Sequence, residues 1–273
     1  MDIVNPKKIE DIIISILIKG KRKSTPLLEE VRLLRRNTTK QGFYAILRKL
    51  RRNEVVLVYK GIVSLNVVWI KKIKNIFELA DKKYLSDQES FDALKLENGE
   101  SMNYIFKNLN NLDIFWGHSQ NIFINNSPIT EPIYCYDPHY WLYLARNKSE
   151  KDLLNEIIKN KRQFLMNVGN TTFLDKFIKK DFHSKYVQYN YKKIFNKNNY
   201  YITVIGEYIT EVYFDKKISN EIDDFYNKTT ILNNKTIESL KGFLNKRIKS
   251  RIKMTRNKSK ANKLKNKLGK DFY

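Results

Sequence analysis

Three side chains of types that bind metal ions lie two residues apart in the middle of the chain. They are Cys135, Asp137 and His139, and His118 could join them from another segment. A structural zinc site has four ligands, commonly arranged in C-x2-C or H-x3-H pairs, and neither spacing occurs in this sequence. We therefore expect no metal site, and we expect a buried cysteine and a loop histidine hydrogen-bonded to the backbone.

A second group of side chains could act on phosphodiesters. His183, Ser184 and Lys185, followed by Asn190, resemble the H-x-K-x4-D signature of phospholipase D-type phosphodiesterases. The resemblance implies a nucleophilic role for His183 and a phosphate-holding role for Lys185. However, the carboxylate position is occupied by Asn190, and the chain has no second H-x-K to supply the general acid. We expect that the protein is not an enzyme, and a nuclease remains an alternative.

Aromatic residues cluster around Pro138 and could form the floor of a sugar or base pocket, although core aromatics would give the same pattern. They are Tyr136, Tyr140, Trp141 and Tyr143. The chain has nine glycines and lacks the G-x-x-x-x-G-K-[ST], G-x-G-x-x-G and G-x-S-x-G motifs. These motifs cradle phosphates or present a nucleophile, so we expect no bound cofactor.

Side chains that read base edges and hold phosphates are concentrated between residues 38 and 52. Thr38 and Gln41 form the pattern of a capping box, which predicts a helix over residues 38–52. Its apolar residues recur at i, i+3, i+4 and i+7 and are Phe43, Ile46, Leu47 and Leu50. Seven other residues are predicted to lie in or beside a DNA major groove, and these are Thr38, Thr39, Lys40, Gln41, Tyr44, Arg48 and Arg51.

The flanking elements would position this helix. Apolar periodicity predicts a helix over residues 8–18, and Thr25 before Pro26 predicts the start of a second helix that reaches about residue 35. Two β-rich runs, 55–59 and 62–65, flank Lys60-Gly61 and predict a hairpin with Lys60 at its tip. This order resembles bacterial and archaeal winged-helix transcriptional regulators, which implies binding to double-stranded DNA. The alternative is a scaffold for protein contacts.

Charge is concentrated at the two ends of the chain. Residues 1–74 contain 18 Lys and Arg against 6 Asp and Glu, residues 75–240 contain 21 against 22, and residues 241–270 contain 13 against none. A genomic bias towards lysine would affect the middle segment as well, so the two basic ends predict binding to a polyanion. The cations predicted to contact phosphates without reading sequence are Lys21, Arg22, Lys23, Arg256, Lys258 and Lys260.

The C-terminal residues 236–273 are predicted to form a basic helix followed by a tail. Ile237, Leu240, Leu244, Ile248 and Ile252 follow a near-helical spacing, and the Lys- and Asn-rich stretch from Thr255 is predicted to be disordered when free. Such an arm would track DNA phosphates and raise affinity for any sequence. A solvated tail, a membrane-facing surface and an RNA-binding arm are the alternatives.

The middle of the chain alternates strand-like and helical segments. Residues 69–84 form a linker helix, in which Ile70, Ile73, Phe77, Ala80 and Tyr84 follow a heptad step that predicts a homodimer or packing within the chain. Residues 91–96 and 102–106 flank Asn98-Gly99 and predict a hairpin. Residues 85–235 are expected to form an α/β domain with a mixed sheet that senses a small-molecule effector or dimerises.

The whole layout is predicted to be an α+β or α/β chain with a winged helix-turn-helix domain over residues 1–68. With the linker helix and the segment from Phe164 to Phe225, it resembles archaeal TrmB-type regulators, which respond to sugars. This resemblance implies a second domain with a phospholipase D-like fold that lacks phospholipase chemistry.

Composition limits the class of protein. The chain is 42% hydrophobic and 13% aromatic, which is enough for real cores, and its single cysteine fits a reducing compartment. Met1 is not followed by a signal-peptide pattern, and no apolar run approaches ~20 residues, so we expect a cytoplasmic, nucleoid-associated protein without a membrane partner. The expected function is sequence-specific DNA binding as a transcriptional regulator. A defence or mobile-element protein, such as an antitoxin or a recombination accessory factor, is the alternative.

Overall fold

The computed structural model describes residues 6–84 and 91–272. The chain divides into two compact units, one within residues 1–90 and one within residues 91–273. The fold combines helices with a seven-stranded mixed sheet, as predicted. No helix of the described residues is long and apolar enough to cross a membrane. The predicted start of the second domain at residue 85 and the side chain of Tyr84 lie outside the described part of the chain.

The first unit contains four helices and a small antiparallel sheet in the order β1-β3-β2. The elements are α1 (Ile9–Ile18), β1 (Arg22–Lys23), α2 (Ser24–Leu34), α3 (Lys40–Arg52), β2 (Val56–Tyr59), β3 (Ile62–Leu65) and α4 (Val67–Tyr84). The apolar face of α1 packs with Leu27, Val31, Phe43 and Val63, which are all fully buried. The helices and the hairpin predicted between residues 8 and 66 are therefore present.

The start of α2 differs from the prediction. The helix begins at Ser24, and Lys23, not Thr25, occupies the N-cap position without a side-chain cap. The reason is that Lys23 pairs with Ile62 of β3, and the Ser24 N–H donates to the Gly61 carbonyl at 2.8 Å, so the chain passes directly from a strand into the helix. Pro26 then falls in the first helical turn, where its missing N–H costs little.

The second unit is built on a seven-stranded sheet in the order β4-β10-β9-β8-β5-β6-β7. The strands are β4 (Ser101–Asn108), β5 (Ile133–Asp137), β6 (Phe164–Val168), β7 (Val187–Tyr191), β8 (Tyr200–Ile205), β9 (Tyr208–Tyr213) and β10 (Arg247–Arg256). The β5, β6 and β7 strands are parallel, and the other pairs are antiparallel. Such a sheet needs apolar cover on both faces, and both faces have it.

The helices of the second unit supply most of that cover. They are α5 (Leu109–Asn125), α6 (Trp141–Ala145), α7 (Asn147–Lys159), α8 (Phe173–Phe182), α9 (Lys216–Lys228), α10 (Asn234–Leu244) and α11 (Lys258–Gly269). The larger cluster of buried residues includes Trp116, Trp141 and Ile222, and α11 contributes Ala261 and Leu268 to the cluster on the opposite face.

The hairpin predicted around Asn98-Gly99 does not form. Residues Asp92–Lys95 form a 3-10 helix, and β4 pairs with β10 from the far end of the chain. Phe91 instead packs its ring against Phe115 and Phe123 of α5, with centroid distances of 6.2 and 5.9 Å. This packing holds the segment against the core. A segment paired with β4 as a strand could not keep the Phe91 ring against α5.

The predicted basic helix and tail over residues 236–273 is confirmed only at its start, where Ile237, Leu240 and Leu244 lie on α10, and is wrong beyond Leu244. The helix stops at Leu244, Arg247–Arg256 forms strand β10 between β4 and β9, and α11 packs on the sheet. Ile248 and Ile252 share a face in a helix and equally in a strand, because both periods bring i and i+4 together. Two flanking strands satisfy the backbone hydrogen bonds of β10, and this tertiary pairing decides between the two structures.

Candidate nucleic-acid interface

The α3 helix has one buried face and one polar face. Phe43, Leu47 and Leu50 are buried in the core of the first unit, as predicted from their spacing. The helix begins after Thr39, whose Oγ1 accepts a hydrogen bond from the Gly42 N–H at 3.0 Å. A Cβ at Gly42 would lie only 3.0 Å from that oxygen, so glycine leaves room for the cap.

Thr38 does not belong to the exposed surface. It is buried, and its hydroxyl donates to the Arg35 carbonyl at 2.8 Å. The predicted capping box of Thr38 and Gln41 is therefore wrong by one residue, because Thr38 closes the preceding turn and Thr39 caps the helix. Sequence alone could not separate two adjacent threonines that are both able to cap.

The centre of the polar face lies opposite the buried side chains. At 100° per residue, Gln41, Ala45, Arg48 and Arg52 fall within one narrow sector, and all four are exposed. Ala45 is small, so a surface could approach the helix backbone closely between the longer side chains. Arg52 was missed by the sequence prediction, although its position eleven residues after Gln41 places it on the same face.

The flanks of the polar face carry further candidates. Lys40 and Arg51 lie on one flank with Tyr44, and both cations are exposed. Tyr44 is half-buried, and its ring meets the ring of Phe43 edge-on at a centroid distance of 5.2 Å. On the other flank, Lys49 is neutralised by Glu10, with 2.7 Å between the charged atoms.

The cations of the polar face have no compensating charge. Among the described residues, no ion pair involves Lys40, Arg48, Arg51 or Arg52, and α3 itself contains no Asp or Glu. Lys40 lies in the first turn, where the positive end of the helix dipole disfavours a cation. The stability of the helix therefore does not explain a lysine at position 40. A bound anion would offset the unfavourable interaction of Lys40 with the helix dipole.

The β2–β3 hairpin presents one cation at its tip. Lys60 and Gly61 both have positive φ values, 46° and 74°, which is the backbone of a type I′ turn. Lys60 is exposed, and its ammonium lies 5.4 Å from the centre of the Tyr59 ring. The turn thus holds an exposed Lys60 and an exposed Tyr59 at one end of the small sheet.

The three cations before α2 differ in availability. Arg22 donates to Glu30 at 2.9 Å and to the Gly20 and Lys21 carbonyls, so it fastens β1 to α2. Lys21 and Lys23 are exposed and have no ion pair within the described part of the chain. Of these three predicted phosphate contacts, Lys21 and Lys23 have the free charge that such a role requires.

The predicted phosphate contacts near the C-terminus are mostly engaged within the second unit. Arg256 interacts with Glu207 at 3.3 Å and donates to the Leu96 carbonyl at 3.1 Å, and Lys260 binds Glu211 at 2.8 Å. Lys258 is exposed, and no described residue forms an ion pair with it. The two carboxylates, Glu207 and Glu211, lie in the turn before β9 and on β9. Each lies more than 40 residues before its cation in the chain, so no local sequence pattern predicts these ion pairs.

The H-x-K segment follows helix α8. His183 is the C-cap residue of α8 and is exposed, as is Lys185. Asn190 lies on β7 and donates to Asn167 Oδ1 at 3.2 Å. The Asn190 side chain therefore forms part of a hydrogen-bonded link between two strands.

The Cys135, Asp137 and His139 side chains have separate surroundings. Cys135 is buried beside the Thr203 hydroxyl, at 3.7 Å, and burial raises the pKa of its thiol. His139 was predicted to hydrogen-bond to the backbone, but it contacts two carboxylates instead. Its Nδ1 lies 3.0 Å from Asp175, and its Nε2 lies 3.1 Å from Asp223. Within residues 6–84 and 91–272, no group of three such ligands could hold a metal ion.

The aromatic residues around Pro138 do not share one pocket. Tyr136 belongs to the core on the α11 side of the sheet, whereas Tyr140, Trp141 and Tyr143 belong to the core on the other side. Tyr136 lies on β5 and faces the α11 side, so the sheet separates its ring from the other three rings. A single floor built from all four rings is ruled out.

Comparisons with known proteins give little further information. No family model matches the chain, and no curated protein matches it. Among solved structures, the chain is similar to TrmBL2, described as an archaeal chromatin protein that shows a novel mode of DNA binding. The identity is 12%, the alignment covers 98% of this chain and 92% of that chain, and the TM-score is 0.33. At these values neither residue roles nor function can be transferred to this chain.

Proposed function

We propose that the first unit is a winged helix-turn-helix that binds double-stranded DNA, with α3 in the major groove, and that the protein is a transcriptional regulator. The observation that carries the proposal is the exposed, uncompensated face of α3, with Gln41, Arg48 and Arg52 around the small Ala45. Amide and guanidinium groups are the side chains that form bidentate hydrogen bonds with adenine and guanine.

The remaining exposed cations fit contacts with the DNA backbone. Lys40 and Arg51 flank the base-reading side chains, and Lys60 lies at the tip of the hairpin. Contacts of this kind fix the position of the protein on the duplex without reading its sequence. We assign the same role to Lys21 and Lys23.

The test is a binding measurement on a duplex selected from random sequences and on an unselected duplex. Arg48→Ala should cost about 1–3 kcal/mol on the selected duplex and much less on the random one, because a base contact is lost. Lys49→Ala is the matched control, since it removes the same charge from the same helix, but Lys49 is paired with Glu10. Equal losses on both duplexes for Arg48→Ala would contradict base reading.

We also propose that α4 joins two copies of the chain. The helix exposes six large apolar side chains, Val67, Val68, Ile70, Ile76, Phe77 and Leu79. Of these, Ile70 and Phe77 lie one heptad apart on one face of the helix, and this spacing fits a second α4 helix. A twofold pair would present two α3 helices to successive major grooves, ~34 Å apart.

Sedimentation equilibrium tests the α4 pairing. Phe77→Lys should give a monomer, because it places a cation in the apolar seam. Asn75→Lys, an exposed position on the same helix, should leave the dimer intact. A monomeric wild-type protein at micromolar concentration, or a dimer with both variants, would exclude this interface.

A further inference from the structure

A small cavity lies in the second unit, at the carboxyl end of β5 and beside α5 and α7. Its volume is ≈ 40 Å³, and its wall includes the side chains of Asp113, Trp116, Asp137, Tyr140 and Glu150. A water molecule needs roughly 10–15 Å³ on this scale, so the space accepts about three non-hydrogen atoms. It is too small for a sugar or a nucleotide.

Asp137 is the side chain that a purely structural role does not explain. It is the last residue of β5, is 4% exposed, and lies on the same face of the sheet as Cys135, which also lines the cavity. Its carboxylate has no hydrogen bond or ion pair with any described residue. A buried carboxylate without a partner is unfavourable, so the fold is not stabilised by an acid at this position.

The other two carboxyl groups are only partly compensated. Glu150 accepts a hydrogen bond from the Tyr140 hydroxyl at 2.6 Å, and Asp113 forms an ion pair with Arg146. Burial raises the pKa of Glu150 to about 7 and that of Asp113 to about 6, although Arg146 opposes the shift at Asp113. Burial, and then the nearby Glu150, raise the pKa of Asp137. The Arg146 guanidinium therefore acts on Asp113 and Glu150, and Asp137 has no cationic partner among the described residues.

We propose that this cavity binds the ammonium group of a small primary amine, with Asp137 and Glu150 as the principal ligands. An ammonium has three N–H donors and one positive charge, which match the unpaired Asp137 and a Glu150 that shares its one cation, Arg146, with Asp113. The rings of Trp116 and Tyr140 line the same space, and aromatic rings attract cations through their faces. A metal ion is a poorer occupant, because the described residues hold no metal-ligand group of three.

Binding would be coupled to proton release. A cation between the carboxyl groups favours their ionised forms, so protons leave Glu150 and Asp137 when the amine binds. Affinity should therefore rise with pH from about 6 to about 8, which spans the pKa of Glu150. A small cation that bound only to exposed surface charge would show no such proton release near neutral pH.

The experiment is isothermal titration calorimetry of the full chain with ethylammonium chloride, at constant ionic strength and without DNA. Phosphate and Hepes buffers differ in ionisation enthalpy and report the released protons, whereas Tris must be avoided because it is itself an amine. We expect saturable binding of ethylammonium and none of tetramethylammonium, which is too large and has no N–H donor. Because no DNA is present, the result is independent of the proposed DNA-binding function.

Two variants and a matched control complete the test. Asp137→Asn and Glu150→Gln should each weaken ethylammonium binding about tenfold or more, because a buried charge partner is lost. Asp152→Asn, an exposed acid on α7, should leave binding unchanged. Without the amine, Asp137→Asn should raise the melting temperature, since the variant no longer buries an unpaired acid.

Three results would overturn the proposal. The first is no saturable heat with ethylammonium, which would mean that the cavity holds only water. The second is unchanged ethylammonium binding in Asp137→Asn and Glu150→Gln. The third is a lower melting temperature in both variants without amine, which would make these carboxyl groups part of the structural core.

Discussion

The α3 helix and the C-terminal segment from Arg247 to Gly269 are both rich in cations, and they use them differently. In α3 four cations are exposed and form no ion pair with any residue that the structure describes, and the one that is paired, Lys49, lies on a flank. In the C-terminal segment Arg256, Lys260 and Lys265 are bound by carboxylates, and the segment supplies an interior strand next to the edge strand β4 and a packed helix. Charge density in a sequence therefore does not show whether charge is available to a ligand.

The two units also differ in where they keep charge. The first unit has its cations at the surface, around a core formed by apolar side chains. The second unit buries an imidazole between carboxylates, and it places the buried Asp113 and Asp137 and the half-buried Glu150 around a cavity. Burial of ionisable groups costs desolvation energy, which a hydrogen-bond or ion-pair partner offsets. Because the charges of these groups depend on pH, the stability of the second unit should be more sensitive to pH than that of the first.

The largest effect is expected from deletion of residues 257–273. This change removes α11, whose Ala261 and Leu268 are buried against the sheet, and the Leu268 carbonyl that accepts from Asn167 at 2.8 Å. We expect the second unit to lose its cooperative thermal unfolding transition, measured by circular dichroism and limited proteolysis. An unstructured tail predicts instead that both transitions survive the deletion.

A smaller effect is expected from Leu47→Ala in the first unit. Leu47 is buried under α3, so the variant should lose roughly 2–5 kcal/mol of unfolding free energy. Leu33→Ala is the matched control, because Leu33 is 82% exposed and its truncation should change little. Urea denaturation measures both variants, and equal values for the two would show that α3 is packed with a different face.

Much of the fold followed from sequence, for reasons that can be named. The spacing of Phe43, Leu47 and Leu50 fixes a helix face, and the runs 55–59 and 62–65 around Lys60-Gly61 were predicted close to the observed bounds of β2 and β3. The polar face of α3 follows from the same spacing, because it is what the buried face leaves exposed. Local periodicity is enough in these segments because no competing structure has the same period.

Two of the failures, in β10 and at His139, have a different cause. Ile248 and Ile252 fit a helix and a strand equally well, and only pairing with β4 and β9 decides between them. The partners of His139 are Asp175 and Asp223, which lie 36 and 84 residues away in the chain. No local sequence pattern predicts these contacts. Long-range pairing, which local patterns do not contain, decided each of these cases.

The third prediction concerns the buried His139. Burial alone lowers the pKa of this imidazole, but hydrogen bonds and charges from Asp175 and Asp223 outweigh burial and raise it. The folded form therefore binds a proton more tightly than the unfolded form, and the stabilisation is fully present below the unfolded pKa of ~6.5 and is lost as pH rises through the folded value. The second unit should thus lose stability as pH rises from neutral.

His139→Gln isolates this contribution. Near pH 6 the variant should lose on the order of 2–3 kcal/mol, less than for a fully enclosed pair because Asp223 is 26% exposed. The difference from wild type should shrink towards pH 9, where the imidazole is neutral. Urea denaturation across this range measures it, and a difference that does not change with pH would mean that His139 is neutral throughout.

The smallest effect is expected from exposed cations of α11 and of its C-cap residue, Lys270. Lys258, Lys263 and Lys270 are exposed and have no ion pair within the described residues, so changing all three to Gln should leave the fold intact. If they touch phosphates, specific and random duplexes should lose similar factors in affinity, and each lost contact should reduce the log–log salt slope by ~0.9. The ratio of specific to random affinity should not change, because we assign base reading to α3 and not to α11. Arg48→Ala gives the opposite pattern, with a changed ratio. An unchanged salt slope in the triple variant would confine the DNA contacts to the first unit and leave the charge of α11 without a role in binding.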